Sequence, residues 1–155
     1  MQANLANTYT ALGREKQALS IERDIYTGRS KLDGEENMNT LLAANNYASS
    51  LLGLRRFEEA KLLLRKTIPV ARRVLVESHD YTLKMKWCYA MALYRDTGAT
   101  LDDLREAVTT LEDTERTARR VLGGAHPTAV GIEKSLQKAR ATLRAREAQS
   151  LPGGA

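Results

Sequence analysis

The most constraining feature of this sequence is a seven-residue motif that occurs twice. LGREKQA (12–18) and LRRFEEA (54–60) lie 42 residues apart. A shift of 42 residues also aligns three longer stretches: NLANTYTAL (4–12), NYASSLLGL (46–54) and CYAMALYRD (88–96). Self-similarity with a period of about 20 to 50 residues is the signature of repeat architectures. The chain is therefore predicted to be an array of similar units rather than a single irregular core.

The later part of each unit repeats as well. RRVL occurs at 72–75 and again at 119–122, a spacing of 47 residues. The five extra residues fall in TGATLDD (97–103), in the predicted turn between the two helices of the third unit. An insertion in such a turn leaves the packed faces of both helices in phase.

A column of alanines indicates close helix crossings. Ala6, Ala48 and Ala90 occupy equivalent positions, and large apolar residues stand one position before and three positions after each of them. A small residue at such a place lets a second helix approach closely. No helix pair of this kind buries its apolar stripe alone, so stacking of pairs into a right-handed α-solenoid is predicted.

The fold class is predicted to be all-α. Glycine and proline are sparse, at 10 and 3 in 155 residues. The predicted helices are 2–12, 15–31, 38–53, 57–75, 80–96, 101–121 and 127–147. They divide into one domain over residues 1–148, with repeats at about 1–36, 37–78 and 79–125, a capping helix at 127–147, and a disordered tail at 149–155.

Local signals mark several of these helices. Thr100 with Asp103 forms a capping pattern at the start of a helix, and Pro127 stands at a first helical position, where its missing N–H is harmless. Pro69 falls inside a predicted helix, so a kink or an early end is expected there. His79 and His126 occupy equivalent turns and are interpreted as helix-start residues rather than metal ligands or catalytic groups.

Composition excludes several classes of function. The single Cys88 rules out an internal disulfide and a cysteine-based metal cluster, and it is interpreted as a small buried apolar residue. The sequence contains no Walker A motif, no G-x-S-x-G and no H-E-x-x-H, so neither an enzyme nor a cofactor site is expected. No secretory signal or apolar stretch of about 18 residues is present, which predicts a cytoplasmic protein with no membrane contact.

The motifs resemble those of a known family. Tetratricopeptide-repeat (TPR) arrays of the kinesin light chain-like type share a unit with N-x-A-x-x-Y/L, then L-G-R-x-x-x-A, then A-R-R-V-L-G-x-x-H-P-x-T. The matching residues are Asn4 to Tyr9, Leu12 to Ala18, Asn46 to Leu51, Leu54 to Ala60 and Ala118 to Thr128. The resemblance implies a superhelix whose first helices line a concave groove that binds extended peptides.

The same resemblance implies which residues line the groove. Carried over by column, they are Asn4, Asn7, Asn45, Asn46, Ser49, Trp87 and Met91. Asn4 and Asn46 lie in the column that supplies amides to the backbone of a bound peptide in such arrays. The expected role is that of an adaptor or scaffold that binds a peptide or protein partner. Cargo or kinesin-associated proteins are one class of expected partner. The cytoskeleton is one expected location of the protein.

Two other functions stay open. The chain could be a structural fragment of a longer array or of a multi-domain signalling protein, without binding competence alone. The net charge of +5 also leaves nucleic-acid binding through the basic surface of 55–73 and 134–146 as a third hypothesis. The basic side chains are mixed with acidic ones, and one Trp and one Phe offer little for base stacking, so nucleic acid is not the expected partner. No heptad run long enough for a coiled coil is present.

Overall fold

The computed structural model describes residues 14–152, which form six α-helices joined by short turns. The helices are α1 (Glu15–Asp33), α2 (Met38–Gly53), α3 (Phe57–Leu75), α4 (Asp80–Tyr94), α5 (Leu101–Leu122) and α6 (Pro127–Ser150). No strand occurs within these residues, so the all-α prediction is confirmed. The bounds of α2 and α3 match the predicted ones. The predicted helix 2–12 lies outside the described residues.

The predicted helix starts are also confirmed. The Thr100 hydroxyl accepts a hydrogen bond from the Asp103 N–H at 3.1 Å, and the Asp103 carboxylate accepts one from the Thr100 N–H at 2.9 Å. This reciprocal pair satisfies two N–H groups that the first turn of α5 leaves free. Pro127 is the first residue of α6, and His126 caps that helix.

Pro69 does not end its helix, so the early end is wrong, while the alternative of a kink at Pro69 stays a prediction. α3 continues past Pro69 to Leu75. Thr67, Ala71 and Leu75 are all buried on the packed side of this helix. Because tertiary packing holds the turns on both sides of the proline, the missing backbone hydrogen bond is tolerated.

The helices are arranged in two layers. Each helix packs against the next one along the chain, and in addition α2 contacts α4 and α4 contacts α6. Among the described helices, α1, α3 and α5 do not contact one another in this way. The inner helices (α2, α4, α6) therefore lie side by side, while the outer helices (α1, α3, α5) are spread apart. This arrangement is an α-solenoid that curves towards its inner helices.

The core is one continuous cluster that runs along the array and includes several fully buried alanines. Ala48 and Ala90, both from the predicted alanine column, are 0% exposed. Leu51 and Leu93, three residues further along the chain, are also buried. The burial of this column agrees with its interpretation as a crossing point.

A buried cation links successive units. Lys86 of α4 is only 8% exposed, and its Nζ lies 2.5 Å from Glu77 Oε1 and 2.9 Å from Asp113 Oδ2. Burial alone would raise the pKa of Glu77, but hydrogen bonds from Lys86 and Arg72 outweigh it and lower that pKa. The hydrogen bond from Lys86 likewise lowers the pKa of Asp113. One ammonium group therefore ties α4 to α5 and to the turn that follows α3.

The last helix covers the end of the core. Ile132, Leu136 and Ala139 of α6 are buried, and Leu143 packs partly against them. Lys134, Lys138, Arg140 and Arg144 are exposed on the other faces, as the capping-helix prediction requires. The helix extends to Ser150, so residues 149 and 150, which were predicted to belong to the disordered tail, are helical.

Candidate functional site

The inner helix α2 presents a line of polar and apolar side chains on its one uncovered face. Asn39 and Ser49 are exposed, and Leu42 and Asn46 are half-buried. These residues follow one another at intervals of three and four, which places them on one face of the helix. The other faces of α2 contact α1, α3 and α4.

The neighbouring inner helices continue this line. Half-buried side chains on α4 recur at the same intervals, namely Lys84, Trp87 and Met91. On α6, Gly131 is half-buried and Lys134 and Lys138 are exposed. Because α2, α4 and α6 lie side by side, these three lines form one surface. The inner surface is defined here by Asn39, Leu42, Asn46, Ser49, Lys84, Trp87, Met91, Gly131, Lys134 and Lys138.

Ser49 and Cys88 meet where α2 contacts α4. Ser49 Oγ lies 3.8 Å from Cys88 Sγ. Cys88 is 6% exposed, and burial raises the pKa of its thiol to about 11. A thiol with so high a pKa holds little thiolate at neutral pH, which agrees with the interpretation of Cys88 as a packing residue rather than a nucleophile.

Asn45 and Asn46 have different surroundings although they are adjacent. Asn46 is half-buried on the inner surface. Asn45 is 8% exposed, and its Oδ1 has no hydrogen-bond partner within the part of the chain that the structure describes. The structure therefore places Asn46, Ser49, Trp87 and Met91 on the inner surface and buries Asn45. Asn4 and Asn7 lie outside the described residues.

Trp87 spans the contact between α4 and α6. Its indole Nε1 donates a hydrogen bond to Ser135 Oγ at 2.8 Å. Its ring packs against the backbone of Gly131, where a Cβ would lie 2.4 Å from the ring. Part of the indole stays uncovered, since Trp87 is only half-buried. The ring is thus held in one orientation and presents a fixed apolar edge to the inner surface.

Several residues of the inner surface were not among the predicted site residues. Leu42, Lys84, Lys134 and Lys138 share it with the predicted set. The repeat contains the signal that would find the two α6 lysines: Lys134 is equivalent to Trp87 and Lys138 to Met91, each 47 residues further along. The interpretation of α6 as a capping helix does not account for these two lysines.

The basic surface at 55–73 is largely neutralised by carboxylates. Arg56 forms an ion pair with Glu59 in which its guanidinium donates to both carboxylate oxygens. The Nζ of Lys66 lies 2.6 Å from Oε1 of Glu35. Glu77 and Glu36 bind Arg72 and Arg73 respectively. Ion-paired side chains are poorer partners for phosphates. This surface therefore gives no support to nucleic-acid binding.

Two further kinds of site are absent from the described part of the chain. Residues 14–152 contain no group of three or more His, Cys, Asp or Glu side chains placed to hold a metal ion. None of the six helices has the length and the apolar character needed to cross a bilayer.

Comparisons with known proteins agree with this geometry. A tetratricopeptide-repeat family model matches residues 40–81. A solved structure from Podosopora anserina, described as a kinesin light chain with nearly identical TPR-like repeats, is 21% identical. The match has a TM-score of 0.80 and covers 98% of this chain and 76% of that chain. A Q17M form of that protein is 20% identical and has the same TM-score of 0.80. This match covers 97% of this chain and 75% of that chain.

A third structure, BtubC (BKLC) from P. vanneervenii, is 19% identical with a TM-score of 0.59, and the match covers 98% of this chain and 65% of that one. No curated protein sequence matches the chain. At these identities the solved structures establish the fold, and the family model establishes the repeat type over residues 40–81. Residues 40–81 thus match a tetratricopeptide repeat, and the chain has the fold of TPR-like repeat arrays.

Proposed function

We propose that this array binds a peptide or a partner protein on its inner surface and acts as a non-catalytic adaptor or scaffold in the cytoplasm. The observation that carries the proposal is the continuity of the inner surface across α2, α4 and α6. Asn46 and Ser49 offer donors and acceptors, Trp87 and Met91 offer apolar contacts, and Lys134 adds positive charge.

This combination suits an extended peptide. A side-chain amide donates to and accepts from a main chain without reading its sequence. A rigid tryptophan and an adaptable methionine are typical of surfaces that bind apolar anchors. Since Trp87 is already fixed by Ser135 and Gly131, little conformational entropy would be lost when a ligand contacts it.

The remaining predicted groove residues belong to the same proposal. Asn4 and Asn7 are proposed to extend the inner surface, and Asn45 to support it from below through Asn46. Cargo or kinesin-associated proteins form one class of proposed partner, and association with the cytoskeleton follows if the partner belongs to that class.

The test compares two double variants of the chain. Asn46→Ala with Met91→Ala alters the inner surface, while Thr27→Ala with Thr109→Ala alters two exposed positions on the outer helices. Partners are captured from lysate of the source cell, identified by mass spectrometry and purified, and the Kd of each is measured.

The inner-surface variant is expected to weaken binding at least about tenfold at equal thermal stability, because it removes central contacts. The outer-surface variant is expected to bind as the parent does. Equal affinities of the parent and the inner-surface variant would show that the partner binds elsewhere on the array.

A further inference from the structure

A cleft of about 260 Å³ lies between the outer helix α1 and the turn that joins α2 to α3. Three of its lining residues are basic, namely Lys16, Arg23 and Arg56, and no carboxylate among the described residues lines it. The other lining residues are Leu19, Ser20 and Leu54. None of these six residues belongs to the inner surface, so a ligand in this cleft is independent of the proposed function.

The basic residues of the cleft have few carboxylates of their own. Within the part of the chain that the structure describes, Lys16 forms no ion pair, and Arg23 pairs with the adjacent Asp24 at 3.9 Å. Arg56 donates from Nε and Nη2 to the carboxylate of Glu59, so its Nη1 can donate to another group. The Arg23 and Arg56 side chains are 53% and 44% exposed, so a ligand can reach both. The cleft therefore has an accessible excess of positive charge.

At the equivalent place one unit further, the array supplies carboxylates from its own next helix. Arg65 of α3 donates from Nε to the Tyr89 hydroxyl at 3.2 Å, and that hydroxyl donates to Oε1 of Glu106 at 2.7 Å. A hydrogen bond from the backbone at the start of α5 lowers the pKa of Asp103, and the charges of Lys61 and Arg65 lower it further. Two carboxylates of α5, three residues apart, thus face the basic side chains of α3.

The cleft differs from this place at the positions that carry acidic side chains. Arg56 stands where Asp103 stands 47 residues later, and Lys16 stands where Glu58 stands 42 residues later. Arg23, by contrast, keeps the charge of its equivalent in α3. Two acidic positions of the second place are therefore basic in the cleft, so the cleft lacks the carboxylates that neutralise the arginine one unit further.

We propose that the cleft formed by Lys16, Arg23 and Arg56 binds an acidic segment of a partner protein, in which two carboxylates are three residues apart, as Asp103 and Glu106 are. On a helix this spacing places both carboxylates on one face. The two guanidinium groups then donate charge-assisted hydrogen bonds to the carboxylates, for which their planar geometry is suited. The leucines of the lining contact the methylene groups of the bound side chains. The partner thus contributes what α5 contributes to α3.

The first test uses an acidic probe taken from the chain itself. A synthetic peptide with the sequence of residues 99–112, blocked at both ends, is titrated into the full isotope-labelled chain and followed by NMR. Shift changes are expected at Lys16, Arg23 and Arg56, and the affinity is expected to fall as salt is added. A control peptide with Asp103→Asn and Glu106→Gln is expected to bind at least about fivefold more weakly.

The second test compares two double variants of α1 that lose the same charges. Lys16→Gln with Arg23→Gln alters the cleft, while Arg29→Gln with Lys31→Gln removes one arginine and one lysine from the other end of the same helix. All four side chains are exposed, so both variants are expected to fold as the parent does. The cleft variant should bind the peptide at least about fivefold more weakly than the parent, and the control variant should bind it equally well.

Three results would overturn the proposal. The first is equal affinity of the parent and the cleft variant for the acidic peptide. The second is the absence of any shift change at millimolar peptide. The third is a set of shift changes confined to Lys134 and Lys138, which would show that acidic segments bind the inner surface instead.

Discussion

Trp87 and Gly131 fit together so closely that a Cβ on Gly131 would lie 2.4 Å from Cη2 of the indole. In most helices alanine is more stable than glycine by about 1 kcal/mol. Here the added methyl group must displace the ring and strain its hydrogen bond to Ser135. Gly131→Ala is therefore expected to destabilise the fold by about 1–3 kcal/mol.

The measurement for this variant is urea unfolding followed by tryptophan fluorescence, since Trp87 is the only tryptophan in the chain. The emission of the folded variant should shift as the indole becomes more exposed. Gly28→Ala is the matched control, because Gly28 is also inside a helix and a methyl group added there would have no neighbouring atom within 4 Å. It should gain about 0.5–1 kcal/mol. Equal gains at both glycines would contradict the close packing.

Val76 occupies a backbone conformation that glycine adopts at the two equivalent positions. Its φ is 70° and its ψ 162°, close to the values for Gly34 (85° and 163°) and Gly123 (89° and 150°). This region is strongly unfavourable for a β-branched residue. Because Val76 is 59% exposed, its replacement loses little buried area. Val76→Gly should therefore stabilise the protein by about 1 kcal/mol, after the entropy cost of glycine is subtracted.

Chemical denaturation at pH 7.5 measures this gain directly. Gly123→Val is the reciprocal variant and should destabilise by about 1–3 kcal/mol. A loss of stability in Val76→Gly would show that the side chain contributes more through its contacts than the backbone loses through strain.

Larger side chains should not fit in the alanine column. Ala48→Leu or Ala90→Leu places three extra carbons at a core position that is 0% exposed. Each substitution is expected to cost about 1–3 kcal/mol in thermal or urea unfolding. Ala141→Leu, on an exposed face of α6, serves as the control and should change stability by less than about 0.5 kcal/mol.

Glu22 is a buried carboxyl group in a column that otherwise holds leucine. It is 5% exposed, and its equivalents Leu64 and Leu111 are 0% exposed. Its Oε2 has no hydrogen-bond partner among residues 14–152, and burial raises its pKa above the ordinary value of 4.5. Glu22→Leu should therefore stabilise the protein at pH 7 by about 1–3 kcal/mol.

The pH dependence identifies the cause of that gain. With a raised pKa in the folded state, the contribution of Glu22 is most favourable below pH 4.5 and is lost as the pH rises through the folded pKa. The difference in unfolding free energy between Glu22→Leu and the parent should thus grow from pH 4 to pH 7. A difference that stays constant would point to packing rather than to the buried charge.

The sequence alone determined the repeat, the helices and their starts. A 42-residue period is visible without any structure, and local chemistry marks the helix ends: Thr100 with Asp103, Pro127, and the turn residues His79 and His126. These signals depend on the backbone within a few residues, so they do not need the tertiary fold to be recognised.

Only the tertiary structure decided which side chains of the inner helices stay uncovered. Asn45 and Asn46 are adjacent, but the way α2 lies against its neighbours buries the first and leaves the second half-buried. Trp87 faces Ser135, 48 residues away, because α4 contacts α6. α3 passes through Pro69 since packing on both sides outweighs one lost hydrogen bond. Each of these outcomes depends on contacts between distant segments, and their energies are absent from any local pattern of residues.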